Sequence, residues 1–337
     1  MKKYNVAICG ATGAVGETML KVLQERNFPV EKLKLLASYR STGKKYKFLN
    51  KDIMVEELTK DSFKETEIAL FSIEAELSKE FAPIAVENGA IVIDNSSAFR
   101  MDKDVPLVVP EVNPQNVLWH NGIISNPNCS TIVMVVAINP IHKISKIKRI
   151  VTSTYQAVSG TGREAIEELK KQSRAVLDCE KVISEVYPVQ IAFNTLPHIE
   201  DFFNNGYTKE EMKMVFETHK IIGDDSIKIT ATAVRVPVFT SHSLSVNLEL
   251  ESKLTGEDVR EILSKAPGVI VMDDPGNLIY PTVLNSSGND LVYVGRIRED
   301  NSIENGINLW VVSDQLRKGA ATNAIQIAEL LMEKGLI

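Results

Sequence analysis

Through the first third of the chain, short apolar runs take turns with segments whose apolar residues recur every three or four positions. "YNVAICG" (4–10) reads as a buried strand and "VGETMLKVLQERN" (15–27) as an amphipathic helix. "KLKLLAS" (32–38) and "EIALFSI" (67–73) are further strands. "AELSKEFAPIAVENG" (75–89) is helical, with Pro83 as its weak point, and "AIVIDNS" (90–96) is again a strand. Such alternation predicts parallel strands joined by crossover helices, a doubly wound α/β domain.

After Cys129 the pattern changes. "STIVMVVAINPI" (130–141) is apolar and helix-like, "KRIVTSTYQAVSG" (148–160) is strand-like, and "REAIEELKKQSRAVLD" (163–178) is a long helix. Thr208 and Glu211 have the spacing of a capping box before another helix. The stretch 227–252, "IKITATAVRVPVFTSHSLSVNLELES", is rich in β-branched residues with polar alternation. "GVIVMDD" (268–274), "DLVYVGRIRED" (290–300) and "INLWVVSD" (307–314) add strands with few helices between them. A mixed or largely antiparallel sheet is expected here, in an α+β domain with its boundary at Cys129. "GAATNAIQIAELLMEKGLI" (319–337) reads as a closing helix.

A chain of 337 residues accommodates two such domains. The formal net charge of -6 argues against a nucleic-acid binder, which carries a basic footprint. The N-terminus passes straight into a strand without a signal-peptide pattern, and the apolar run Ile132–Ile138 is too short to span a bilayer. A cytoplasmic protein with no membrane partner is expected. The 3 cysteines, Cys9, Cys129 and Cys179, lie far apart with no C-x-x-C spacing, which disfavours disulfides and a metal centre.

Gly10, Gly13 and Gly16 directly follow the first strand and open the first helix, in the order G-x-x-G-x-x-G. Glycines there permit a tight turn and close approach of a pyrophosphate, whose charge the helix N-terminus meets. The candidate dinucleotide loop comprises Gly10, Thr12, Gly13, Ala14, Val15 and Gly16. The second strand ends in "ASYRST" (37–42) with no acid for a ribose hydroxyl. Ser38, Arg40, Ser41 and Thr42 instead offer a cation and hydroxyls suited to a 2′-phosphate, so the cofactor expected is NADP(H) rather than NAD. Cys129, in or just before the first turn of its helix, meets unpaired amides and a dipole that favour a thiolate. A dinucleotide fold with such a cysteine suggests an aldehyde or acyl-phosphate oxidoreductase.

The motifs "GATGAVG", "ASYRSTGK", "DNSSAFR", "VPEVN", "NPNCST", "STYQAVSGTG", "RVPVFTSHS" and "WVVSDQLRKGAATNA" occur in order from end to end. Together they resemble the aspartate-semialdehyde dehydrogenase family. The resemblance implies a Rossmann-type NADP-binding domain (1–128) to which a C-terminal helix (319–337) returns, and a catalytic and dimerisation domain (129–318). It also implies reversible conversion of L-aspartyl 4-phosphate and NADPH to L-aspartate 4-semialdehyde, phosphate and NADP, in lysine, methionine, threonine and diaminopimelate biosynthesis. The partners implied are these small molecules and a second copy of the chain, as a homodimer or a pair of dimers.

By the same resemblance Cys129 is the nucleophile, Gln156 orients the acyl intermediate and His242 is the acid/base. Arg235 matches the clamp for the substrate carboxylate and Glu217 the partner of its ammonium. Lys220 and Arg100 match phosphate-binding positions, with Asn128 beside the nucleophile. Ser159, Gly160 and Asn323 match cofactor-flanking positions. Arg235 and His242, seven positions apart, would face opposite sides of an unbroken strand, so a bend is expected between them at Pro237. One departure is "IEAELSK" (73–79), where the family often has a small Gly-rich turn. An N-acetyl-glutamyl-phosphate reductase is the nearest rival, but its acylated substrate needs no ammonium partner such as Glu217. A catalytically inactive relative acting as a binding protein is the rival of another class.

Overall fold

The computed structural model describes residues 2–337. The chain divides into two compact units, residues 1–128 with 320–337, and residues 129–319. Gly319 thus falls with the second unit.

The first unit contains β1 (Tyr4–Cys9), α1 (Ala14–Glu25), β2 (Val30–Ala37), β3 (Lys45–Phe48), β4 (Lys51–Glu57), β5 (Ile68–Phe71), α2 (Ala75–Glu87), β6 (Ile91–Asp94) and β7 (Ile123–Ser125). Its sheet has the order β3-β4-β2-β1-β5-β6-β7. All neighbours are parallel except the β3–β4 hairpin. Because side chains alternate along a strand, each face of β1 feeds a different core. Val6 and Ile8 join Met19 and Leu23 of α1 and Ile325 and Ala328 of the C-terminal helix Thr322–Glu333. Ala7 and Cys9 join Phe63, Phe71 and Phe81 on the other face. Each fully buried Leu, Ile or Phe contributes about 1.5–3 kcal/mol. An ion pair between Arg26 and Glu329, 2.6 Å long, fastens α1 to the C-terminal helix. Pro83 does not break α2, which runs through it. Its ring lies on the exposed face, where the carbonyl that loses its partner can be hydrated.

The second unit contains α3 (Cys129–Ile144), β8 (Ile147–Gln156), α4 (Arg163–Leu177), α5 (Lys209–Ile222), β9 (Lys228–Arg235), β10 (His242–Leu250), α6 (Gly256–Ser264), β11 (Val269–Val271), α7 (Val283–Ser286), β12 (Val292–Asp300) and β13 (Gly306–Ser313). The sheet order is β11-β12-β13-β10-β8-β9. It is mixed: β8–β9 and β11–β12 are parallel and the remaining neighbours antiparallel. The inward residues Leu244, Val246, Leu248 and Leu250 of β10 are fully or almost fully buried, while Ser245 on the opposite face is exposed. Thr208 caps α5 in the expected box with Glu211. Glu211 also accepts the Ala233 amide at 2.9 Å, pinning the start of α5 to β9. Among the described residues no helix is long and apolar enough to cross a membrane.

Candidate active site

In the first unit the chain reverses direction across the sheet at β1, since β2 and β5 flank it on opposite sides. Ligands of such sheets bind where neighbouring connections diverge in this way. The glycine loop lies at that point. Gly10 has φ +82, and a Cβ there would lie 2.1 Å from the Ser72 carbonyl oxygen. A Cβ at Gly16 would lie 2.2 Å from the Gly10 carbonyl oxygen. Both positions exclude a side chain, which lets the chain turn tightly ahead of α1, whose N-cap, Gly13, is exposed. Thr12, Ala14 and Val15 are only partly covered.

The Thr12 hydroxyl lies 3.3 Å from that of Ser41, so the glycine loop and the segment after β2 meet. Ser38 caps a short 3-10 turn, Tyr39–Ser41. Arg40 within it and Thr42 after it are exposed. A backbone cradle, a helix N-terminus and an exposed guanidinium fit a dinucleotide with a further phosphate. The departure at Ile73 and Glu74 is accommodated: Ile73 packs on Gly10, and Glu74 begins α2 with its side chain exposed.

The same unit holds Arg100, Asn128 and Asn323 in its interior. Arg100 Nε donates to the Asn126 carbonyl at 3.0 Å and Nη2 to the Asn95 carbonyl at 2.6 Å, fixing the guanidinium plane. Asn323 Nδ2 donates to the Val108 carbonyl at 3.0 Å and to Asn126 Oδ1 at 2.6 Å. Asn126 in turn donates to Asn95 Oδ1 at 2.7 Å. Asn323 therefore closes a buried ladder of carboxamides behind Arg100.

The second unit begins with Cys129, the first residue of α3, partly exposed where the helix dipole is positive. The backbone of Gly319 packs on it, so that a Cβ there would sit 3.0 Å from the cysteine Cβ. Gln156, Arg235 and His242 come from three adjacent strands. Gln156 pairs in register with Arg235 across β8–β9. Ser243 pairs with Tyr155 across β8–β10, which sets His242 level with Gln156. The expected bend at Pro237 is a full crossover. Residues 236–241 pass over the end of β8, the Val236 amide donating to the Gln156 carbonyl at 3.0 Å and the Val158 amide to the Val238 carbonyl at 3.0 Å. Arg235 and His242 thereby reach opposite sides of one strand and share one face of the sheet.

Ala157 orients both flanking residues through its backbone. Its amide donates to His242 Nδ1 at 3.1 Å, and its carbonyl accepts from Arg235 Nη1 at 2.8 Å. An amide can only donate, so Nδ1 carries the lone pair and a neutral ring holds its proton on Nε2. His242 Nε2 is buried and has no hydrogen-bond partner among the described residues. Burial and then the Arg235 charge lower the His242 pKa to about 3, against opposing effects of Glu210 and the Ser241 backbone. The ring is thus neutral at physiological pH and offers an N–H. Arg235 Nε is likewise buried and unpartnered, which leaves that edge of the guanidinium for an anion.

Gly160 lines the same place, since a Cβ there would lie 2.9 Å from Arg235 Nη1 and 3.3 Å from His242 Nε2. The Gln315 carboxamide donates to the Ser159 hydroxyl and accepts from the Ser241 amide, fastening the two loops together. Glu217 is only 1% exposed and Lys220 half-buried, so neither belongs to a solvated surface pair. Two residues outside the sequence expectations touch the row or its loops. Gln315 lay within a quoted motif without a role. Glu210, 4% exposed, receives the Gln156 amide at 3.0 Å. Its only sequence signal is an acidic doublet in a first helical turn, which ordinarily marks surface.

Two family models match the chain. Residues 5–120 match the semialdehyde dehydrogenase NAD binding domain, and residues 138–318 the semialdehyde dehydrogenase dimerisation domain. An aspartate-semialdehyde dehydrogenase of Aquifex aeolicus is 57% identical over 99% of both chains. That of Bacillus subtilis is 50% identical over 99% of both chains. A crystal structure of aspartate semialdehyde dehydrogenase II from Vibrio cholerae, complexed with ASA, superposes with TM-score 0.97 at 50% identity, covering 99% of both chains. The Candida albicans enzyme with NADP gives TM-score 0.77 at 26% identity over 100% of both chains.

Proposed function

The chain belongs to the aspartate-semialdehyde dehydrogenase family, and from that premise we propose that it reversibly reduces L-aspartyl 4-phosphate to L-aspartate 4-semialdehyde and phosphate, with NADP(H) as cofactor. The observation that carries this reading is the row Gln156, Arg235 and His242, set on one sheet face of the unit whose first residue is Cys129. Cys129 Sγ attacks the acyl-phosphate carbonyl, the C–O bond to phosphate breaks, and a thioester remains. The nicotinamide supplies the hydride in this direction and accepts it in the other. The His242 Nε2–H donates to the tetrahedral oxyanion, as neutral donors do at developing charge. Collapse breaks the C–S bond, releasing aldehyde and regenerating the thiolate.

Arg235, anchored through Nη1, gives its Nε edge to the substrate carboxylate, a geometry that suits bidentate recognition. Glu217 takes the ammonium, Lys220 and Arg100 bind phosphate, and Asn128 assists beside the nucleophile. In the first unit Gly10, Gly13 and Gly16 admit the pyrophosphate, and Arg40 with Ser38, Ser41 and Thr42 takes the 2′-phosphate. Ser159 and Gly160 flank the nicotinamide, and Asn323 is a further cofactor-binding residue.

The chain acts as a homodimer in this reading. The Tyr155 and Trp310 rings lie 5.5 Å apart, tilted at 45°, on the sheet face opposite α3, and Tyr155 is 37% exposed. An aromatic surface of this kind suits a protein interface. Purified enzyme given L-aspartate semialdehyde and NADP should sustain NADPH formation beyond a first turnover only when phosphate is present. Formation without phosphate at the same steady rate would mean a hydrolytic dehydrogenase, and none at all would favour the related reductase or an inactive relative.

A further inference from the structure

Between α4 and α5, residues 178–208 form no helix and no strand beyond single bridges. Connections of this length are uncommon in a compact domain and are ordinarily functional or disordered. This one is tied down by two buried side chains one turn apart on α4, Glu168 and Gln172. Glu168 Oε2 accepts the amides of Glu185 at 2.7 Å and Val186 at 2.5 Å, and Oε1 accepts the Tyr187 amide at 3.2 Å. Gln172 Oε1 accepts the Ile191 amide at 2.8 Å and the Ala192 amide at 3.1 Å. Gln172 Nε2 donates to Glu168 Oε1 at 3.3 Å and so joins the two anchors. Successive amides turned onto one carboxylate fix the backbone that carries Tyr187.

The Tyr187 hydroxyl lies 2.9 Å from that of Thr161 and 3.5 Å from the Val158 carbonyl oxygen, so the ring rests on the turn 158–162. The same turn packs Gly160 against Arg235 and His242. Burial raises the Tyr187 pKa and the Arg235 charge opposes it, as befits a ring within reach of that guanidinium. Val186 and Tyr187 pack on the apolar cluster of Val158, Ala165 and Leu169, which backs the turn from the other side.

We propose, on the reading that Ser159 and Gly160 flank the nicotinamide, that Glu168 and Tyr187 are positioning residues forming a latch. Glu168 holds the loop, the loop holds the Tyr187 hydroxyl on Thr161, and the turn is kept in the conformation that receives the nicotinamide. With four donors on its two oxygens, Glu168 acts through the loop.

The latch is tested by NADPH affinity in a fluorescence titration and by the KM for NADP. Tyr187→Phe and Thr161→Val remove the same bond. Each should weaken NADP about threefold to tenfold, by more than the KM for the semialdehyde changes. The double variant T161V/Y187F should be no weaker than either single one. Unchanged affinity in Tyr187→Phe, or losses that multiply in the double variant, would overturn the proposal.

Glu168→Gln brings an N–H toward the loop amides, and NADP affinity should fall about tenfold or more. Adding Tyr187→Phe to it should then cost nothing further. A lowered melting temperature with NADP affinity intact would mean that Glu168 only stabilises the loop, overturning its role. Should that variant not fold, the Tyr187–Thr161 cycle, which keeps both anchors, still decides. Wild-type NADPH titration, measured first, separates failure of the cofactor reading from failure of this one.

Discussion

The glycine loop of the first unit and the Gln156–Arg235–His242 row of the second are built by opposite means. The loop is local. Seven consecutive residues, Gly10–Gly16, supply it, and what they contribute is chiefly the absence of side chains where Ser72 and Gly10 backbone atoms approach. The row is assembled by topology. Residues 156, 235 and 242 become neighbours only because the chain places β9 and β10 on either side of β8. A local device tolerates change around it and fails when its own backbone is touched. A topological one depends on side-chain bonds such as those to Ala157, and each member can be removed with the rest left standing.

The sharpest way to separate the two is to disable one at a time. Cys129→Ala should lower turnover by at least about 10⁴-fold, as loss of a nucleophile does, while NADPH binding and melting temperature hold. Steady-state turnover and fluorescence titration check this. Gly10→Val should do the reverse of a clean lesion. Strain at φ +82 alone costs about 1–3 kcal/mol, and the contact at 2.1 Å adds to it. Thermal unfolding should shift down by several degrees and cofactor affinity should be lost.

Within the row, Arg235→Lys keeps the charge but loses the fork. The KM for the semialdehyde should rise about tenfold to a hundredfold with NADP affinity unchanged. Within the first unit, Arg40→Asp should weaken NADP about tenfold or more and leave NAD nearly unaffected. An unchanged preference would mean that the 2′-phosphate is read elsewhere.

The smallest effect concerns pH. Burial, and then the Arg235 charge, lower the folded pKa of His242 to about 3 from the ordinary value of 6.5. Below pH 6.5 the unfolded chain takes up a proton that the folded chain refuses, so stability falls as pH drops from 6.5 toward 3. His242→Asn should flatten that part of the curve in urea unfolding. An identical slope would mean that the ring is protonated in the folded protein.

The same contrast explains what could be read from the residues alone. Glycines at a strand-to-helix turn, and Thr208 with Glu211 at a cap, announce themselves because their cause lies within a few positions. The β3–β4 hairpin was not read, and its turn shows why. Leu49 and Asn50 both have positive φ, 46 and 65, in a two-residue loop where a Leu gives no glycine signal. Pro83 read as a weak point because exposure of its face is decided by packing. The separation of Arg235 from His242 was legible as a required bend, but the crossover over β8 depends on strand order. Glu210 was invisible for the same reason. Its neighbour Glu211 fits a cap rule, whereas Glu210 has meaning only once Gln156 lies beside it.

The most direct test of the central claim, that the second unit's row serves a covalent intermediate on Cys129, is a single-turnover experiment without phosphate. The enzyme is mixed with excess L-aspartate semialdehyde and NADP, quenched in acid, and digested for mass spectrometry. The account predicts a burst of one NADPH per active chain and an aspartyl group on the Cys129 peptide, both abolished in Cys129→Ala. NADPH formation with no modified cysteine, or with the group on another residue, would contradict it.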